Sequence, residues 1–266
     1  MSFQPVILSG GNLGWTFLKT SRDAQQAAFD RSQPIRTSTD YFQEKIGSIS
    51  SAQDLVSDRR LLSVALGAFG LDDDINNVFF IRKVLEEGTL RDDAFANRLS
   101  DKRYAAMADA FGFHLSPPNT VLSDFSATIV QQYQDRQFEI AVGDQDDRLR
   151  LALGVKRDID DIASRSLPED TAWFTIMGNP PLRRVFEKAL GLPSQLAAID
   201  LDQQLGEFRA KSNSIFGTTN PSDFADPELQ EKLVRNFLLR SELEDSQRTS
   251  AGSVALTLLQ SLQPAG

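Results

Sequence analysis

From Ser51 onward, apolar residues recur at three- and four-residue intervals. Leu55, Leu62, Leu66 and Phe69 fall on one helical face, Ser51 stands where an N-cap would accept an orphan backbone N–H, and Gly70 follows as a stop. The same spacing predicts further helices over about 75–87, 91–98, 101–111, 121–142, 145–163, 169–177, 181–190, 199–215, 226–244 and 251–262. Alternating β-branched runs of four or more residues are hard to find, and the best strand candidate, Pro5 to Leu8, is short. The expected fold is mostly α.

Two stretches share a pattern. Arg59-Arg60-Leu61 leads to Ala68-Phe69-Gly70-Leu71 and later to Phe95-Ala96 and Asp101-Lys102, while Arg183-Arg184-Val185 leads to Ala189-Leu190-Gly191-Leu192 and later to Phe224-Ala225 and Glu231-Lys232. Each pattern describes a helix that ends at a left-handed glycine, with the next, apolar residue folding back on the last turn. The predicted architecture is a multi-helix bundle of two loosely repeated helical units, 51–113 and 178–244. A long charged helical segment over 121–164, with a break near Gly143 that Asp144 could cap, joins them within a domain spanning 51–245.

Residues 1–50 differ in character. They are rich in Ser, Thr and Gln, broken by Ser9-Gly10-Gly11 and Pro34, and their apolar residues come in short pieces such as Trp15, Phe17 and Leu18. This segment is predicted to be a flexible amino-terminal arm. At the other end, Asp245 is followed by a single charged residue, Arg248; residues 246–253 (SQRTSAGS) read as a hinge, and Val254, Leu258, Leu259 and Leu262 line one face of a terminal amphipathic helix. Such a stripe needs a cover, either its own core or another chain, so these four residues are the candidate interaction site.

Composition narrows the chemistry. The chain has 266 residues, 41% of them hydrophobic, with a net charge of −9. The charge opposes a phosphate backbone or an anionic lipid surface, so no nucleic-acid partner is expected. There is no cysteine and a single histidine, which excludes disulfides, thiolate metal sites, Cys-His hydrolases and any site needing two imidazoles. No apolar run is long enough to span a bilayer, and the first residues lack the basic start and apolar stretch of a secretory signal, so a cytoplasmic or flagellum-associated location is expected.

Single motifs add little. His114 sits where a helix stops and reads as a carbonyl cap or a water-facing residue. Asp72 to Asp74 and Asp144 to Asp147 open helices, where negative charge complements the helix dipole. Asp158, Asp160 and Glu169 match three positions of a calcium loop, but Ile162 and Ala163 occupy those of a ligand and the glycine turn. Ser9 to Gly14 lacks both the first glycine and the βαβ unit of a dinucleotide loop. No catalytic, cofactor or metal residue is assigned.

In combination, Asp58-Arg59-Arg60-Leu61-Leu62 with Ala68 to Leu71, Phe95 to Leu99 with Arg103-Tyr104, Ala110 to Phe113, Phe138 to Gly143 with Arg148 to Ala152, and Arg184-Val185 through Leu192-Pro193 carry a resemblance. The chain resembles an uncharacterised bacterial family, domain of unknown function 1217, found mainly in alphaproteobacteria. The likeness covers most of the chain after residue 40. It implies a flagellar connection and brings no catalytic residue. Absent cysteine, a polar arm and a terminal apolar helix accord with an axial protein or export client.

The leading expectation is a non-enzymatic flagellum-associated protein, an assembly factor or exported structural component, that binds a flagellar protein or itself. The alternative is a small-molecule enzyme or ligand-binding domain whose site lies between the two helical units, with Arg59-Arg60 and Arg183-Arg184 clamping an anion.

Overall fold

A computed structural model describes residues 3–261, with side chains described as far as residue 246 apart from that of Ser194. The chain is mostly α, and among the described residues there is no strand. The helices are α1 (Gly11–Asp30), α2 (Gln33–Lys45), α3 (Ala52–Ser57), α4 (Arg59–Phe69), α5 (Val78–Glu87), α6 (Phe95–Arg98) and α7 (Arg103–Phe111). They continue as α8 (Phe125–Gly143), α9 (Asp147–Ser164), α10 (Glu169–Met177), α11 (Pro180–Leu190), α12 (Leu201–Phe216) and α13 (Pro227–Ser261).

Local chemistry sets most boundaries. Ser51 Oγ accepts the Asp54 N–H at 3.1 Å, as an N-cap should. The single helix expected over the next stretch is divided at Asp58, whose carboxylate caps α4 through the N–H groups of Arg60 (2.9 Å) and Leu61 (3.1 Å) and also accepts the Tyr41 hydroxyl at 2.6 Å. The break after α8 is capped by Asp146 rather than Asp144: Asp146 Oδ1 accepts from the Arg148 N–H at 2.9 Å, and Asp144 merely closes α8.

Gly70 and Gly191 adopt φ of 68° and 65°, the left-handed region that glycine enters without steric cost. Leu71 N–H reaches Leu66 O at 3.0 Å and Gly70 N–H reaches Gly67 O; the pairs Leu192 to Glu187 and Gly191 to Lys188 repeat the arrangement. Both ends are therefore Schellman motifs, and Leu71 and Leu192 fold back into the core. After each, the element order is the same: a 3-10 turn (Asp72–Asn76 or Ser194–Ala198), a helix (α5 or α12), a short turn holding Phe-Ala (α6 or Pro221–Ala225), and another helix (α7 or α13). Their packing differs, since α7 lies mainly on α5 whereas α13 lies along α11.

The amino-terminal arm is a correction. Residues 11–45 form α1 and α2 with a two-residue turn between them, and both helices enter the core: Leu18 and Phe42 are fully buried, and Trp15, Phe29 and Ile35 nearly so. The sequence disguised this because polar residues complete the buried stripes. Gln25 sits in the α1 stripe and holds the extended residues before it, accepting from Val6 N–H at 2.6 Å and donating to Val6 O at 3.2 Å. Thr39 fills the α2 stripe between Ile35 and Phe42, its hydroxyl bonded to Ile35 O. Phe29 then meets Phe138 of α8 edge-on at 5.7 Å.

One core cluster runs from Trp15 to Leu238. α8 packs on α4 and α2, α9 packs on α11 and α13, and α8 folds back on α9, so this pair joins the two predicted units. Edge-on rings fill each side, Phe111 against Phe125 in the first and Trp173, Phe186 and Phe224 in the second. The hinge expected at 246–253 is also corrected, because α13 runs unbroken through it to Ser261. No proline interrupts that stretch, and extending an existing helix avoids the nucleation cost that a separate one would meet. Val254, Leu258 and Leu259 lie beyond the described side chains, and Leu262 lies outside the described residues.

Candidate functional site

The end of α4 exposes its last carbonyls, which arginines from two other helices satisfy. Arg136 of α8 donates Nε to Ala68 O at 2.8 Å, and Arg103 of α7 donates to Gly70 O while its fork grips Asp101. Cations complement the negative end of a helix dipole, so the placement is electrostatically favourable. One residue beyond Arg136, Gln137 donates to Asp72 Oδ1 at 2.8 Å.

Below this layer lies a buried charge network between α8 and α9. Arg157 bonds Glu139 and donates Nε to Asp158 Oδ1 at 2.9 Å, and Asn179 donates to Asp158 Oδ2 at 3.1 Å while its own Oδ1 caps α11 at the Leu182 N–H. Burial works against the Arg157 cation, but Asp158 and Glu139 outweigh it and hold it firmly protonated. Burial pushes the Glu139 carboxyl up from its ordinary value against the pull of Arg157 and Arg136.

Between the units opens a cleft of about 620 Å³, within the range of small-molecule sites. Its cationic lining is Arg103, Arg136, Arg150 and Arg184, and its acids are Asp72, Asp73 and Glu139. At one side Arg150 and Arg184 share the Asp147 carboxylate, at 2.6 and 2.8 Å. A smaller cavity of about 150 Å³ shares Arg103 and Arg136 and is also lined by Arg157 and Asp158. Another hollow of about 540 Å³ lies between α9, α11 and α13, and the charges facing it are paired, Arg148 with Asp146 and Asp245 and Lys188 with Glu244.

The predicted arginine clamp does not assemble. Arg59 holds Asn76, Arg60 stacks on Tyr41 with its guanidinium 3.7 Å from the ring centre, and Arg183 bonds Glu187 and Gln204. Of the four, Arg184 alone lines the cleft. Arg103, Arg136 and Arg150 were missed. Their signal was no more than an arginine within a helix, which the sequence alone does not separate from a solvated one. His114 caps no helix end, since α7 is closed by Gly112; its ring lies over Gly88, and its Nδ1 is enclosed without a hydrogen-bond partner among the described residues. Asp72 to Asp74 open a 3-10 turn, and Asp158 sits within α9 rather than in a loop.

No curated protein matches the chain. A crystal structure of a protein from Agrobacterium tumefaciens is similar at 29% identity and a TM-score of 0.74, over 91% of this chain and 97% of that one. The likeness therefore extends beyond the residues of the matching family model, 68–250, into the amino-terminal helices. That model, described as a protein of unknown function (DUF1217), covers well over half of the sequence, and the chain belongs to this family.

Proposed function

We propose that the chain is a non-enzymatic protein that works by binding another protein, a flagellar component or a second copy of itself, through the carboxyl-terminal part of α13. The observation that carries this reading is the length of α13, Pro227–Ser261. Its first half buries Leu233, Val234, Phe237 and Leu238, yet Leu239 and Leu243 on another face are half exposed, and the same helix continues into a segment rich in aliphatic residues and almost free of charge. Burying the Val254, Leu258, Leu259 and Leu262 side chains is worth on the order of 6–10 kcal/mol before entropy is subtracted. A partner that covers them has ample driving force.

The flagellar setting comes from the family resemblance. The absence of cysteine and the terminal apolar helix accord with it; the polar arm no longer does, because that segment is folded. The test is genetic. A strain lacking the gene should have altered filaments by electron microscopy and reduced swimming in soft agar, and normal filaments with full motility would defeat the flagellar reading.

A second reading is favoured by the 620 Å³ cleft, which both helical units line: a ligand-binding domain with its site between them. Protection of residues 70–73 and 182–184 from hydrogen exchange by a small molecule would support it, and a metabolite panel that protects neither segment would count against it.

A further inference from the structure

Three carboxylates around Arg136 are already engaged by another guanidinium, and Asp72, which also lines the cleft, accepts the Gln137 amide. Asp158 accepts Arg157 Nε, Glu139 bonds Arg157, and Asp101 is gripped by Arg103. Arg136 spends its Nε on Ala68 O, and its nearest carboxylate oxygen, Asp158 Oδ1, stands 3.8 Å from its terminal nitrogen, beyond hydrogen-bond distance. Its side chain is only 16% exposed. Burial, with Arg157 and Arg103 beside it, pushes it below the ordinary guanidinium value and outweighs the opposing pull of Asp158 and Glu139. Arg136 lines the 620 Å³ cleft and the 150 Å³ cavity beside it, so the terminal N–H groups of its fork border half-open space between the helices.

At the rim, Arg150 and Arg184 already hold one carboxylate between them, that of Asp147, which is 43% exposed. That geometry shows that guanidiniums from α9 and α11 can close on a single oxyanion. A planar guanidinium binds phosphate and carboxylate oxygens through paired N–H donors, and it does so most strongly where water is scarce.

We propose that the cleft binds a small oxyanion-bearing molecule, a phosphate or polycarboxylate metabolite, with the Arg136 fork at its floor and Arg150 and Arg184 at its rim. This rests on the second reading above. The cleft far exceeds the volume of one phosphate group, so the ligand carries a body that lies along Ile140, Leu151 and Pro181.

The test uses the full chain at low ionic strength and titrates inorganic phosphate, pyrophosphate and citrate by calorimetry. One-site binding of at least one of these is expected, with the phosphate and citrate arms telling the two oxyanion sources apart. Arg184→Gln, at a rim position that is 56% exposed, should weaken it at least tenfold, and Arg136→Gln should abolish it. Arg136→Gln also loses the Ala68 bond, so its melting temperature is measured alongside; should it unfold, Arg184→Gln and Arg150→Gln decide the matter. Arg91→Gln, at an exposed position paired with Asp93, should leave binding unchanged. Anion binding unaffected by the cleft arginines, or no anion binding at all, overturns the proposal. A parallel hydrogen-exchange panel of neutral metabolites separates the two failures: protection of 70–73 and 182–184 by a neutral molecule alone would spare the second reading, whereas protection by nothing would remove both.

Discussion

Phe42→Ala tests whether the amino-terminal helices are integral to the fold. Phe42 is fully buried in α2, which packs on α4 and α8. Deleting a buried phenyl ring loses its transfer free energy and leaves a cavity that helices fixed on several sides cannot close. Phe→Ala changes at such sites cost about 3–5 kcal/mol. In a chain of this size each kcal/mol moves the melting temperature by roughly 2–4 °C, so a fall of about 6–20 °C is expected. Urea titration followed by circular dichroism gives the free energy directly, with a lower midpoint and an unchanged slope. Leu13→Ala, on α1 but 80% exposed, is the matched control and should move stability by less than about 0.5 kcal/mol. A Phe42→Ala protein as stable as the parent would mean that this segment is a loose arm after all.

Gly191→Ala should cost about 1 kcal/mol, because alanine must enter the left-handed region at φ 65° while the facing Arg240 guanidinium, the end of a flexible side chain, moves aside; an unchanged urea midpoint would refute the Schellman assignment. Asp58→Ala removes the α4 cap and the acceptor of the Tyr41 hydroxyl together, so a loss of about 2 kcal/mol is expected from chemical denaturation, and a loss below about 0.5 kcal/mol would refute the capping role. Burial raises the Glu231 carboxyl, but hydrogen bonds from Lys19 and Trp15 outweigh it and leave the folded value below the ordinary 4.5. A depressed carboxylate stabilises above its unfolded value and loses that contribution as pH falls through its folded one. The stability gap between the parent and Glu231→Gln should therefore be present at neutral pH and close in acid, and a gap that stays constant would contradict the pairing.

Helices carrying dense aliphatic stripes were legible in the sequence. α7, α10 and α11 fall within a few residues of where Phe111, Trp173 and Phe186 place them, α4 ends where Gly70 stops it although its start at Asp58 was not foreseen, and both glycine stops were readable from the apolar residue that follows each. α1 and α2 were not, because Gln25 and Thr39 satisfy backbone groups from inside buried stripes, a use of polar residues that looks like a loop when only hydrophobicity is counted. The cleft was legible in position and not in composition. An interface between two helical units was expected, but which arginines face it depends on helix rotation: Arg183 and Arg184 are neighbours in sequence, and one is spent on Glu187 while the other reaches Asp147. Arg136 gave no sign of its role, since its partners Ala68 and Asp158 come from distant parts of the chain.

The claim that α13 ends in a binding element is tested most directly by a chain shortened to residues 1–246. The helix up to that point keeps Leu233, Val234, Phe237 and Leu238 in the core, so the shortened protein should melt within a few degrees of the parent. Supplied to the deletion strain at equal abundance, it should fail to restore filaments and swimming that the full chain restores. Restored motility would contradict the account, and so would a shortened protein that unfolds, since the segment would then belong to the chain's own core.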